Sequence, residues 1–511
     1  MAPRPDRGSL LEAAVVVAAL CLFALLFTRT YREPAPPMVL SLDSNAVGVT
    51  ERWSGIYVQG QKIGTSISRS ALGPQGGRLL QERTQMKLKL LGQTNDLTLA
   101  SDVRLSADGA VQSLLAQVRT EVKGLPVTLR VEGTARGEGM SLDLYQAGMK
   151  ITTLELDEVP ATPSTIYRSL VEQDPQVGKR VAVPWFSPLS LGRAEAAITV
   201  LERTQATLPE GGTVPAWKLR VEHSGQVIEA LIDDTGERLE EHEIEGGLGM
   251  RVVAETEQQA LHGGWPEDGE AAVDLIALSS VPVDQTLPGG GRDLTHLVLR
   301  VHGPAAVDDL LARYHGDRWD LASRQLTLDV PQPTDAGLVP LPSTDRALQA
   351  WTRSTTFAPS DDKAIIRAAG KVVGDELLAN HAARKLNHWV YSNLEKVPVA
   401  GVPQAREVLS SRRGDCNEHT TLFTAMARSL GLPTKMAAGI VYSESIFEDG
   451  AFYYHAWPEV WLGDRWVPLD PTFGQFPADA THLKLVEGEL DKQMELMGVI
   501  GRLRLEVVEA S

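Results

Sequence analysis

Three side chains in the last third of the chain are of the types that break or form amide bonds. Cys416 stands in RRGDCNEHTTLFTAMARSLGLP, residues 412–433. His455 stands in FYYHAWPEVW, residues 452–461, and Asp470 in RWVPLDPTF, residues 465–473. A cysteine thiolate attacks carbonyl carbon. An imidazole can take the thiol proton and return it to a leaving amine, and a carboxylate can fix the imidazole's tautomer and steady its charge. His419, one helical turn beyond Cys416, is a rival base, but no carboxylate stands at a spacing suited to orient it.

Local sequence predicts how these groups are held. Asp415 and Glu418 form an Asp variant of the capping box, so a helix starts at Asp415 and ends at Gly431, with Leu422, Phe423, Met426, Ala427 and Leu430 on its apolar face. Cys416 then falls at the first helical position, where backbone N–H groups lack intrahelical partners. The helix dipole favours the thiolate by about 0.3–1 kcal/mol, up to about 2 when partly buried. That lowers the thiol pKa by at most about 1.5 units, so a base is still needed. The same N–H groups can donate to an oxyanion. Gly463-Asp464 reads as a two-residue hairpin turn. Leu462 then pairs with Arg465, His455 faces Thr472, and Trp457 faces Asp470. His455 and Asp470 become diagonal neighbours on one sheet face. A three-residue loop would put them on opposite faces. Pro458 and Pro468 prevent a fully regular central ladder.

The G-D-C-x-E-H helix start, the H-A-W-x-E-V strand and the W-x-x-x-D-P-T strand together resemble the bacterial transglutaminase-like superfamily, over residues 355–505. The resemblance implies a papain-like fold, with Cys416 as nucleophile, His455 as base and Asp470 as the third member. It implies no metal and no cofactor. An oxyanion donor outside the helix start would come from an upstream aromatic or glutamine, for which Trp389 and Gln404 are candidates. The expected function is a cysteine-dependent amide acyltransferase or hydrolase, acting on protein or peptide through a thioester. The alternative is a non-catalytic scaffold or binding protein of the cell envelope. Neither H-E-x-x-H nor a cysteine pair supports a zinc hydrolase.

The rest of the 511 residues frames this site. Apolar residues make up 43% and charged residues 23%, values of a globular protein with room for several cores. A net charge of −17 argues against a nucleic-acid partner. With two cysteines the chain is no disulfide scaffold. Leu10 to Phe27 is an apolar run around Cys21, interrupted by Glu12; at 1.5 Å per residue it spans about 27 Å. It lacks a small-residue cleavage site and reads as an uncleaved signal anchor, followed by a stiff EPAPP spacer. The expected localisation is a single-pass membrane protein with its body periplasmic or extracellular.

Period-two alternation, as in Leu97 to Leu105, and turns such as Asp108-Gly109 predict a curved antiparallel sheet or open barrel. A helix is expected at Ser164 to Glu172. Strands at Leu294 to Val301 and Leu326 to Val330 flank a helix near Ala305 to Tyr314, and Gly289-Gly290-Gly291 reads as a flexible loop. Helices follow over Asp361 to Val373, capped by Ser360, and over Glu376 to Leu394. The expected class is α+β: an anchor at 1–37, a β-rich domain at 45–260, a small β-rich segment at 270–340 and the transglutaminase-like domain at 345–511.

Overall fold

The computed structural model describes residues 47–511 except 74–75, 91–92, 123–124, 147–148, 163–164, 172, 188–191, 224–225, 246–248, 264–279, 332–338, 398–403, 445–449, 490–495 and 501. The expected anchor at 1–37 lies outside the described residues. Among the described residues, no helix is long and apolar enough to cross a membrane.

Mixed helices and antiparallel sheets make up the chain, with a large β region ahead of the cysteine-bearing part. Strands between Val47 and Glu255 form one fourteen-stranded sheet. Val47–Val58 lies inside it. Successive hairpins lead outward to the edge strand Met149–Leu156. The chain then crosses through the short helix Ile166–Val171 to the other edge, Arg180–Ser187, and returns until Met250–Glu255 pairs with Val47–Val58. The connection between the two edges lies against the second of them: Ala161 N–H donates to the Pro184 carbonyl at 2.8 Å.

Alternation decides which face is inside. In Gly139–Gln146, Met140, Leu142 and Leu144 are buried in one core with Val103, Leu114 and Val131. Tight turns suit the twist; at Gln59-Gly60 both residues have positive φ, 50° and 80°, as a type I′ hairpin requires. The sheet curves round an open cavity of about 270 Å³, whose apolar lining includes Ile56, Met86, Leu99, Val118, Met250 and Val252. At its wall Arg238 bridges Glu82 at 3.0 Å and Glu241 at 2.9 Å, and the Tyr167 hydroxyl donates to Glu241.

The segment expected at 270–340 does not stand apart from the one expected at 345–511. Its strand His296–His302 lies between Gln325–Asp329 and Arg504–Ala510, so the final strand of the chain completes the small sheet. Leu297, Leu299 and Leu326 share one core with Ile440, Phe452, Leu483 and Leu505. Nor is the triple glycine a free loop. Pro288–Gly291 is a 3₁₀ turn, and a Cβ on Gly291 would come within 2.8 Å of Tyr442.

The helices form a second core. Lys363–Val373 is capped by Asp362, not Ser360: the Asp362 carboxylate accepts from Ala364 N at 2.7 Å and Ile365 N at 3.3 Å. Ala379–Asn393 buries Ala382, Leu386 and Val390 as its spacing predicts. Both pack on Cys416–Ser429. That helix is buried on every side from Glu418 to Arg428, not along one stripe.

Candidate active site

Cys416 is the first residue of its helix, and the capping box is formed. Asp415 accepts from Asn417 N at 2.9 Å, and Glu418 accepts from Asp415 N at 2.9 Å. Gly414 makes room for this cap, since a Cβ there would lie 2.2 Å from the Glu418 Cβ. The helix then docks on strand Ala451–Trp461. Thr420 Oγ1 donates to the Ala456 carbonyl at 3.0 Å, and the Ala456 amide donates to the Cys416 sulfur. The thiol therefore sits against the strand residue next to His455.

Cys416 is half-buried. Burial pushes its thiol well above the ordinary range, the Asp415 carboxylate adds to this, and the Ala456 N–H opposes it. The depression expected from the helix dipole is thus outweighed. A lone buried thiolate costs more than one turn of helix dipole returns.

His455 lies opposite Gly439 in the pairing with strand Thr434–Ser443. The hairpin has the predicted register, with Trp461 opposite Trp466, Val460 opposite Val467 and Glu459 opposite Pro468. Leu469 N still donates to Pro458 O at 3.0 Å. There the ladder ends, so Thr472 never comes opposite His455. Asp470 instead exchanges two 2.9 Å backbone hydrogen bonds with Gln475, closing a loop that turns its carboxylate inward. Asn387, from helix Ala379–Asn393, donates to the Gln475 carbonyl at 3.1 Å and pins that loop.

The Asp470 carboxylate has no exposure. Its Oδ1 accepts from Thr472 N at 2.6 Å and Phe473 N at 3.0 Å. Its Oδ2 accepts from His455 Nε2 at 2.7 Å and from His482 Nε2 at 3.0 Å. Burial alone would raise its pKa, but the two imidazoles, His455 foremost, hold it well below the carboxylate range. Against an ionised Asp470, His455 Nε2 must carry the hydrogen, which leaves Nδ1 with the free electron pair. Phe473 stacks on the His455 ring, 4.9 Å between centroids and 7° from parallel.

His419, the rival base, is fully buried and bound within its own helix: Nδ1 donates to the Asp415 carbonyl at 2.6 Å. Burial lowers its pKa. The two candidate oxyanion donors lie on other helices. Gln404 precedes helix Ala405–Ser411 and accepts two of its N–H groups on its carbonyl. Trp389 packs on the helical core beneath the Arg412 guanidinium.

His482 has no counterpart in the sequence reading. Its Nδ1 faces Asp479 Oδ1 at 3.1 Å while Nε2 faces Asp470. Burial would lower its pKa, but Asp479 and Asp470 push it up to about 9. Its only sequence signal is its place in the D-P-T-F-G-Q-F-P-A-D-A-T-H run that also carries Asp470 and Asp479. His455, Asp470 and His482 offer nitrogen and oxygen atoms within 4.8 Å of one another. The 2.7 Å separation is that of a charge-assisted hydrogen bond, and the 3.0 Å one that of an ordinary N–H···O bond.

The transglutaminase-like superfamily core matches residues 367–471, a span that includes Cys416, His455 and Asp470. No curated protein matches the chain. A candidate cysteine protease from Cytophaga hutchinsonii is 16% identical, with 37% of this chain and 62% of that one covered at a TM-score of 0.29. This chain thus spans less than two thirds of that protein's length. A β-barrel-like protein from Brucella abortus, of a domain of unknown function, is 12% identical over 40% of this chain and 94% of that one, TM-score 0.33. A candidate protease from Parabacteroides distasonis is 11% identical over 81% and 70%, TM-score 0.21.

Proposed function

We propose, from the premise that residues 367–471 are a transglutaminase-like domain, that the protein is a cysteine-dependent amide acyltransferase or hydrolase acting on protein or peptide. The observation that carries this is the buried His455–Asp470 pair at 2.7 Å, set one strand residue from the amide that contacts the Cys416 sulfur.

The chemistry runs in two halves. His455 Nδ1 takes the thiol proton as sulfur bonds to the carbonyl carbon of a carboxamide or peptide bond. Asp470 stabilises the imidazolium. The Cys416 amide, at the helix N-terminus, stabilises the oxyanion. As the carbonyl re-forms, the carbon–nitrogen bond breaks and His455 gives its proton to the leaving amine. An acyl thioester remains. Water or an acceptor amine, deprotonated by His455, then displaces the sulfur and gives hydrolysis or crosslinking. The apolar run at Leu10 to Phe27 would hold this body at a membrane, outside the cytoplasm.

The test is incorporation of a fluorescent primary amine into a glutamine-rich protein, run beside peptide-bond cleavage of the same protein. Turnover in either assay that disappears in Cys416→Ala is the expected result. Equal turnover in Cys416→Ala, or none in wild type with an unreactive thiol, overturns the proposal and favours the scaffold.

A further inference from the structure

The hydrogen-bonded chain does not stop at Asp470. His482 lies between two carboxylates, Asp470 on Nε2 at 3.0 Å and Asp479 on Nδ1 at 3.1 Å. Asp479 in turn accepts from Arg292 at 2.8 Å and from Gln475 Nε2 at 2.7 Å. Arg292 comes just after the Pro288–Gly291 turn. It also donates to the Tyr442 carbonyl and lies 4.3 Å over the Phe473 ring. Phe473 is the ring stacked on His455. Arg292 therefore reaches the base by two routes, one through carboxylates and one through an aromatic face.

Charge alternates along this chain. Asp470 and Asp479 are anionic, and His482 and Arg292 balance them. Both carboxylates and His482 are buried, so an uncompensated charge among them would act strongly on its neighbours.

We propose that His482 and Arg292 are positioning residues of the thiol site, which hold Asp470 against His455 and neutralise the carboxylate charge that would otherwise fall on the His455–Cys416 pair. This rests on the triad reading given above. Without the His482 cation, Asp470 is less compensated. Transfer of the proton from sulfur then leaves a thiolate in a more negative site, and the thiol is harder to ionise. The other charged groups lining the cavity that His482 borders are Arg318, Asp329, Glu459, Lys484 and Glu487, of which Glu459 and Lys484 pair at 2.6 Å; the titratable His315 lines it too.

Alkylation of Cys416 by iodoacetamide needs no substrate and reads this directly. Its rate is followed against pH in the full chain, with the Cys416 peptide resolved by mass spectrometry. In His482→Gln the midpoint of the profile moves up by about one pH unit, about a tenfold slower reaction below the midpoint. Arg292→Met moves it the same way by less, and Arg292→Lys recovers part of that shift. Arg292 is partly exposed, so its variants test the idea even if His482→Gln does not fold. A profile unchanged in folded His482→Gln, or in both Arg292 variants, overturns the proposal. Failure of the triad reading looks different: His455→Ala then leaves the wild-type profile unaltered.

Discussion

The large sheet and the cysteine-bearing part both bury charged side chains, but they arrange them differently. At the wall of the sheet's cavity, Arg238 answers Glu82 and Glu241, Tyr167 answers Glu241, and the cluster closes on itself. Lys62, Glu255 and Tyr57 make a second closed group. Around Asp470 the partners run in a line from Arg292 through Asp479, His482 and Asp470 to His455, whose Nδ1 is not taken up by the line. A closed cluster has nothing to give to a substrate. An open line ends in a group that can exchange a proton.

The largest effects should come from cutting that line at its reactive end. Cys416→Ala should abolish thiol-dependent turnover, and His455→Ala should lower it by about 10³-fold or more, read as kcat/KM once a substrate is in hand. Asp470→Asn keeps the shape but removes the charge, and should cost about 10²–10⁴-fold, with the loss in kcat rather than KM. The same operation on the sheet should behave otherwise. Arg238→Met leaves Glu82 and Glu241 uncompensated and should destabilise the sheet by about 3 kcal/mol in urea unfolding, with Cys416 alkylation unchanged. Slower alkylation in folded Arg238→Met would erase the distinction between the two regions.

The smallest expected effect is on stability against pH. The folded value of His482, about 9, lies above its ordinary 6.5. Its contribution is therefore complete below pH 6.5 and is lost as pH rises through 9. His315 has the opposite sign: burial lowers it to about 4, so its contribution is present above pH 6.5 and is lost as pH falls towards 4. Thermal unfolding of the wild-type C-terminal part should weaken between pH 7 and 9, and this slope should flatten in His482→Gln. An equal slope in both proteins would remove His482 as its source.

What could be read in the sequence was local. The Gly463-Asp464 turn set the hairpin register, and capping chemistry set the start of the cysteine helix to within one residue. Alternation found the strands, and helical spacing found the buried face of Ala379–Asn393. What escaped depends on contacts between distant segments. Period alone gave the cysteine helix one apolar face, because its threonines look polar until Thr420 is seen bonded to Ala456. The ladder's end after Leu469 depends on the Asp470–Gln475 loop, which no strand pattern encodes. Arg292 lies in a glycine-rich stretch with no motif, and the pairing of Arg504–Ala510 with His296–His302 leaves no periodic trace in either strand.

That last pairing bears on inheritance. The family core ends at residue 471, yet Asp479, His482, Arg292 and the strand that closes the small sheet all lie outside it. A recombination event that moved only the core into another gene would carry Cys416, His455 and Asp470, and leave His482, Asp479 and Arg292 behind. The structural unit is larger: it takes in the 3₁₀ turn at Pro288–Gly291 at one end and strand Arg504–Ala510 at the other. The segment between the large sheet and the helices is therefore tied in structure to the cysteine-bearing part rather than to the sheet that precedes it.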